Sequence, residues 1–205
     1  MLFRSIAYTV CHREESTDPK NVLETIMAKK NSEWENMPAP LEYGKNNEHR
    51  AIQLFIRENK KLHRDLAVKE TGLHIFKSCV FLGASPDGLM TCSCCSMAKV
   101  MEVKCLWTHR NQNPMEAALA KRGYFELDNA GKLVLRKETK WFYQMQMEMI
   151  ATQLPTGVLV LYTDLGVESV LVQFDSKFSE AMTLKLKDFY LAFVVPRLVE
   201  ELSCI

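Results

Sequence analysis

No stretch of this 205-residue sequence is apolar for long enough to cross a bilayer, and neither charge dominates it. The net charge of +1 excludes a generally basic coat, so any contact with a polyanion must come from a local patch. Lys60, Lys61, His63 and Arg64 form one such cluster, and Lys137 with Lys140 another. The opening residues are too briefly apolar for a secretory signal. Eight glycines, no internal repeat and no low-complexity tract leave no sign of a fibrous or disordered chain. Seven cysteines are an odd number and are widely spread, which reads as free thiols or metal ligands rather than disulfides. The chain is therefore expected inside the cell, nuclear or cytoplasmic, with no membrane partner. Its length suits one domain spanning residues 1–205.

What is present is a change of pattern along the chain. Asp18 as N-cap, Pro19 at the first helical position and the stripe Val22, Leu23, Ile26 and Met27 predict a helix. A proline-bearing loop at 37–40 precedes a second helix over about 43–61, whose buried stripe is Ala51, Ile52, Phe55 and Ile56. Residues 74–82 read as a strand, followed by a turn at Ser85, Pro86, Asp87 and Gly88, a short strand at 89–91 and an apolar strand at 99–106. Residues 111–122 read as helix, and 124–137 as an excursion turning at Asp128 to Gly131. A strong helix follows over 139–154, its core stripe being Tyr143, Met147, Ile150 and Leu154. A hairpin of β-branched strands spans 157–163 and 168–174. The closing helix, about 176–202, must kink or split at Pro196. Helices around a central mixed sheet imply an α/β core.

One compact segment carries candidate chemistry. Asp87 lies in a turn where a strand begins, and fifteen residues later Glu102 and Lys104 stand two apart on a strand. Period-two alternation places Glu102 and Lys104 on one face of the sheet, amid apolar Val100, Met101, Val103 and Leu106. Two carboxylates beside an ammonium suit phosphodiester hydrolysis: the acids hold a divalent metal ion and the cation orients water and stabilises charge. The bland alternative is an edge strand whose polar face meets water, since acid-x-lysine is a common spacing.

The wider pattern decides between them. Phe81 to Gly88 (FLGASPDG), Met101 to Cys105 (MEVKC) and Trp141 to Gln146 (WFYQMQ), in that order, resemble the YqaJ-type viral recombinases. These are phage-lambda-exonuclease-like members of the PD-(D/E)xK nuclease superfamily. The resemblance runs from about Ser5 to the last helix. It implies a restriction-endonuclease-like core, a central mixed β-sheet flanked by α-helices. It also implies a Mg²⁺- or Mn²⁺-dependent deoxyribonuclease, exonuclease-like, acting on linear double-stranded DNA ends in recombination, repair or mobile-element biology. Some relatives assemble as rings, so a homo-oligomer is open.

Carried onto this chain, Asp87 and Glu102 match the metal-binding acids, Lys104 the lysine that acts on the water, and Val103 a backbone carbonyl ligand. Gly44 and Glu48 match a Gly-x-x-x-Glu pattern whose acid reaches the metal from a helix. Glu48 also falls on the buried stripe of its predicted helix, where a carboxylate needs a reason. Gln144 and Gln146 match the family's two glutamines, Gln144 able to bond water or phosphate. Its bland reading is the polar face of a helix beside Glu148. Relatives begin with an Arg-x-Thr-Ala-Ser-like motif that holds a terminal phosphate. Here Ser5 falls at the Ser and Met1 at the Arg position, so the motif is expected to be incomplete, with Arg4 as substitute.

Cys92, Cys94 and Cys95 sit in the hairpin between the two acidic motifs, with Cys105 beyond. Such thiolates can hold zinc, and some nucleases of the superfamily carry an iron–sulfur cluster. C-x-C-C lacks the usual paired C-x₂-C knuckles and no histidine lies within the hairpin, which favours free thiols at a hairpin tip. His109 reads as a loop histidine. The rival functions are a catalytically impaired DNA-end-binding protein of the same fold, and a cysteine–metal interaction module.

Overall fold

A computed structural model describes residues 2–28 and 37–203; the side chains of residues 2–5 lie outside that description. The chain opens with β1 (Leu2–Phe3) and α1 (Arg4–Cys11), then α2 (Lys20–Met27). This helix starts one residue later than expected, with Pro19 and not Asp18 at the N-cap, though the Asp18 carboxylate still accepts the Lys20 N–H at 2.8 Å. Next, α3 (Ala39–Asn59) starts earlier than its apolar stripe suggested, inside the proline-bearing loop. Proline is tolerated in the first turn of a helix, where its missing N–H has no partner to lose, so Pro40 does not delay the start.

The strands β2 (Ala67–Lys69), β3 (His74–Ile75), β4 (Leu82–Ala84), β5 (Gly88–Thr91) and β6 (Lys99–Cys105) follow. The run 74–82 is not one strand. A tight reversal closed by Cys79 N–H to Phe76 O and Leu82 N–H to Cys79 O separates β3 from β4. Of the apolar residues in this run, only Cys79 and Leu82 are buried, while Ile75 and Val80 remain exposed. The short β2 had no counterpart in the sequence reading.

After a single 3₁₀ turn at Trp107–His109 come α4 (Pro114–Ala120), β7 (Phe125–Leu127), β8 (Leu133–Leu135) and α5 (Lys140–Thr152). Asp128 closes the β7–β8 turn by accepting from the backbone of Ala130 and Lys132, as its place in the excursion suggested. Then β9 (Thr156–Thr163) and β10 (Gly166–Gln173) form the hairpin. The chain ends with α6 (Ser176–Phe189), one π-helical stretch (Tyr190–Val194) and α7 (Val195–Ser203), so the last helix is divided just before Pro196. Among the described residues, no helix is long and apolar enough to cross a membrane.

The fold is α/β, with a five-stranded mixed sheet in the order β10-β9-β6-β5-β2. β6 runs parallel to β9 and antiparallel to β5. A parallel pair requires a crossover, and α4, the β7–β8 hairpin and α5 supply it. Alternation sorts the central strands between two cores. Val100, Leu159 and Leu161 pack with Met145 and Met149 of α5. Met101, Val103, Val158 and Val160 pack with Ala51 and Phe55 of α3.

A third cluster joins α1, α5, α6 and the small sheet β1-β4-β3 through Ile6, Val10, Leu82, Met147, Ile150 and Leu186. Helix α5 thus lies between two cores and is buried nearly all round from Phe142 to Ile150. Its polar residues Gln144, Gln146 and Glu148 are inside the protein, and burial obliges them to find partners. They are not a solvated face. Gly157 leaves room for α5 against the sheet: a Cβ there would press on the Met145 methyl carbon, which would have to shift.

Candidate active site

The site forms where β5 stops short of β6. The last paired residues are Gly88 and Met101, so beyond them β6 has no β5 ladder partner on that side. The Asp87 carboxylate takes over: its Oδ2 accepts the Val103 N–H at 2.8 Å. Glycine is needed at the turn, because a Cβ at Gly88 would come 2.6 Å from the Val68 side chain of β2. The Pro-Asp-Gly turn therefore holds Asp87 against Glu102's strand by backbone geometry and one side-chain bond.

Glu102 is 2% exposed and faces α5, as the alternation of β6 requires. Its Oε1 receives the Lys104 ammonium at 2.7 Å. The Gln144 amide of α5 donates to the same oxygen, and also to Glu148 Oε1 at 3.0 Å. Lys104, Glu102, Gln144 and Glu148 thus form one chain of hydrogen bonds between β6 and α5. A buried carboxylate is tolerable when it is paired and hydrogen-bonded, and bonds to a charged group are each worth about 1.5–3 kcal/mol. Glu102 is no surface residue of an edge strand. The bland reading of the acid-x-lysine pair fails.

Glu48 is placed differently from the expectation. It lies on α3, which packs on the opposite face of the sheet, and it is exposed. The buried positions of α3 are Ala51 and Phe55, with Asn47 half-buried one turn before, so Glu48 sits beside the stripe and not on it. Its charge nevertheless reaches the site's margin. Burial first, and then Glu48 and Asp87, push the Cys105 thiol up to about 12, while Lys104 opposes them. Helix α3 is also held to β6 by the Cys105 thiol on the Gly44 carbonyl at 3.8 Å.

Gln146 does not join the group. It is wholly buried, its amide nitrogen donating to the Gln173 carbonyl while its oxygen accepts from the Asp175 N–H and the Ser179 hydroxyl. Those bonds tie α5 to the start of α6 rather than to Glu102 or Lys104. The side chains of Arg4 and Ser5 lie outside the described residues; their backbone opens α1. His109 ends the 3₁₀ turn after β6, consistent with a loop histidine.

The basic clusters are also put to separate uses. Lys137 pairs with Asp175 at 2.6 Å and so helps fix the α6 N-cap. His63 faces the cysteines of the β5–β6 turn. Lys140 lies over the Tyr8 ring of α1, 5.7 Å from its centre.

A cation–aromatic wall beside Lys104 was not foreseen. The Lys104 ammonium lies 5.9 Å from the Trp141 ring centre, and the Lys121 ammonium 4.9 Å from the same ring and 4.4 Å from that of Tyr124. Tyr124 and Trp141 meet edge to face at 4.7 Å. Desolvation lowers the Lys121 pKa. Trp141 was legible as part of a motif; Lys121 and Tyr124 come from the crossover and carried no signal in sequence. An apolar cavity of about 540 Å³ lies at the far end of α5 between Leu154 and Leu184 and includes none of these residues.

Two carboxylates from adjoining strand segments, with a backbone carbonyl between Glu102 and Lys104, are a set of hard oxygen donors. Such a set fits Mg²⁺ or Mn²⁺ and does not fit a soft metal. Comparison with known proteins decides the family: the model of the YqaJ-like viral recombinase domain matches residues 5–155. The chain belongs to that family. A comparison with curated protein sequences finds no match. Among solved structures, an alkaline exonuclease (LHK-Exo) from Laribacter hongkongensis shares the fold with a TM-score of 0.64 at 18% identity, over 98% of this chain and 94% of that one. The same exonuclease in complex with dAMP aligns at 0.64 and 20% identity over the same shares. A phage-related exonuclease from Haemophilus somnus 129PT aligns at 0.59 and 13% identity, over 98% and 96%. At these identities the likeness is one of fold, and it bears out the restriction-endonuclease-like α/β core expected from the motifs.

Proposed function

We propose that this YqaJ-family chain is a metal-dependent deoxyribonuclease that degrades linear duplex DNA from its ends. The observation that carries the reading is Glu102, buried at 2% exposure and held between Lys104 and Gln144, with Asp87 tethered alongside. Family membership supports it independently. Asp87, Glu102 and the Val103 carbonyl would hold Mg²⁺ or Mn²⁺, with Glu48 approaching from α3. Such an ion, when bound, supplies Lewis acidity toward the phosphate and lowers the pKa of water.

The protein's own groups do the rest. Lys104 brings a positive charge to the carboxylates and is half-exposed, so it can orient the attacking water and stabilise charge developing on the phosphate. Gln144 fixes Glu102 and Glu148 in one arrangement and so pre-organises the acid. Water attacks phosphorus in line and the 3′ oxygen leaves, giving a 5′-phosphate product. Trp141 and Tyr124, with Lys121 and Lys140 nearby, offer stacking and phosphate-binding groups for DNA next to Lys104. Arg4 and Ser5 are the proposed contacts to a terminal phosphate.

The test uses linear and circular duplexes bearing 5′-phosphate or 5′-hydroxyl ends, with Mg²⁺ or Mn²⁺. The expected outcome is degradation of linear DNA only, abolished by Lys104→Ala. Intact linear DNA under all conditions, or degradation that survives Lys104→Ala, overturns the proposal. Salt-sensitive DNA binding without cleavage would mark an end-binding protein instead.

A further inference from the structure

The β5–β6 turn carries Cys92, Cys94 and Cys95, and the structure closes a histidine onto them from elsewhere in the chain. His63 lies just after α3, in a turn where its own N–H bonds to the Asn59 carbonyl. Its Nδ1 stands 3.4, 3.6 and 3.7 Å from the sulfurs of Cys92, Cys94 and Cys95. The Cys92 and Cys94 sulfurs are 3.4 Å apart, and all four donor atoms lie within 4.8 Å of one another. Among the described residues this is the group of histidine, cysteine and acidic side chains whose donor atoms converge so closely.

Hydrogen bonding does not account for that convergence. One imidazole nitrogen carries one proton or one lone pair, and cannot serve three thiols at once. A central tetrahedral ion accounts for it directly. With Zn–S near 2.3 Å and Zn–N near 2.05 Å, a tetrahedron sets nitrogen and sulfur about 3.6 Å apart, and two sulfurs about 3.8 Å apart. The three N···S distances bracket the first value. A disulfide is not the explanation, since sulfurs 3.4 Å apart are far beyond bonding distance and all three cysteines are free. An iron–sulfur cube would spread its thiolates across a cluster, wider than sulfurs and nitrogen gathered within 4.8 Å.

We infer that His63, Cys92, Cys94 and Cys95 form a structural Cys₃His zinc site. Neighbouring bonds build the same joint: the Ser93 N–H donates to the Arg64 carbonyl at 2.8 Å, and the Ser93 hydroxyl to Asp65 at 2.6 Å. Asp65 takes a left-handed conformation (φ 54°), which turns the chain back after His63. All four coordination positions are filled by protein, so the ion is a clasp and not a reaction centre. It joins the end of α3, the helix bearing Glu48, to the hairpin whose strands carry Glu102 and Lys104.

The experiment is elemental analysis of the full chain, purified without chelator and dialysed against metal-free buffer, together with cobalt(II) titration of protein stripped of its metal. The expected result is about one zinc per chain and a cobalt spectrum with thiolate charge-transfer and intense tetrahedral d–d bands. Cys94→Ser, at an exposed position, and His63→Ala should each lose most of the zinc. Lys104→Ala should keep it, so the result stands apart from any nuclease assay. Folding of the two clasp variants is not required, because the cobalt spectrum is read on the unsubstituted chain. Zinc far below stoichiometry with an octahedral cobalt spectrum overturns the inference. So does iron with acid-labile sulfide, or a disulfide among the three cysteines.

Discussion

Replacing Glu102 by glutamine tests whether its buried charge is kept for chemistry or for the fold. In the folded protein the carboxylate is 2% exposed, so its desolvation costs several kcal/mol, offset by Lys104 and Gln144. Glu102→Gln removes that desolvation. It forfeits the charged bond to Lys104, worth about 1.5–3 kcal/mol, but the lysine side chain is 21% exposed and its ammonium regains water. The Gln144 amide still finds a carbonyl oxygen at position 102. The balance favours the variant by about 1 kcal/mol, a rise in Tm of about 2–4 °C for a chain of this size. Lys104→Ala does the opposite. It leaves the carboxylate buried without its cation, and costs about 2 kcal/mol after discounting for the lysine's partial exposure, a fall of about 4–8 °C. Both variants are expected to lose nuclease activity, by 100-fold or more for Lys104→Ala (~3 kcal/mol of transition-state stabilisation). Thermal melts in chelating buffer, beside a nuclease assay with Mg²⁺, read both properties. If Glu102→Gln melts well below the unsubstituted protein, or Lys104→Ala melts at or above it, the argument is refuted and Glu102 serves the fold.

Gln146→Ala should behave as a fold mutation: with three bonds lost at a fully buried position, denaturant unfolding is expected to show a loss of about 2–4 kcal/mol, while activity per folded molecule is kept. Loss of activity in protein that is still folded would return Gln146 to the site. Asp175 has its pKa lowered first by its bond to Lys137, then by the Phe178 N–H it caps. Its stabilising contribution is thus complete above the ordinary carboxylate range and fades as pH falls through the depressed folded value. Asp175→Ala should therefore cost about 1 kcal/mol at pH 7 and progressively less in acid melts; an undiminished difference at pH 2 would contradict that. Burial pushes the Cys11 thiol up to about 11, so at pH 8 about one molecule in a thousand presents the thiolate. Mass spectrometry after brief iodoacetamide treatment of native protein should find Cys11 unmodified, and rapid labelling there would show that the α1–α6 contact opens.

The parts of the site that were legible in sequence are those governed by local rules. Glu102 and Lys104 share a face because strand alternation is local, and Asp87 is held by a turn whose glycine is visible in the chain. Glu48 was misplaced because the phase of α3 is set by Asn47, Ala51 and Phe55, one position round from it. On α5 the motif singled out Gln144, which does stand beside Glu102, and it is the alternative reading of a solvated face that fails. The polar side chains of this helix look like a solvated face until a second core covers it, and their partners lie at positions 102, 173, 175 and 179, which periodicity cannot reveal. Residues 74–82 misled through composition, since an apolar run can be broken by a turn that buries only Cys79 and Leu82. His63 was read as part of a basic cluster, because no histidine lies within the hairpin itself. Only the fold brings it back, 29 positions before Cys92.

The two ends of one hairpin then acquire opposite chemical characters. Asp87 precedes β5 and Cys92 follows it directly, so hard oxygen donors and soft sulfur donors are separated by a four-residue strand, about 13 Å long. Ligand softness would keep the two proposed metals apart: thiolates would retain zinc where carboxylates and a carbonyl would take Mg²⁺ or Mn²⁺. The short strand also gives the clasp a purpose. Only three residue pairs join β5 to β6 and three join β5 to β2, which specifies register weakly. β6 itself is fixed by six residue pairs to β9, so a slip of β5 by one residue would leave Glu102 and Lys104 in place and carry Asp87 away from the Val103 N–H. A clasp fixed at the turn resists that slip at its origin, so the cysteine cluster preserves the geometry of the acids without taking part in their chemistry.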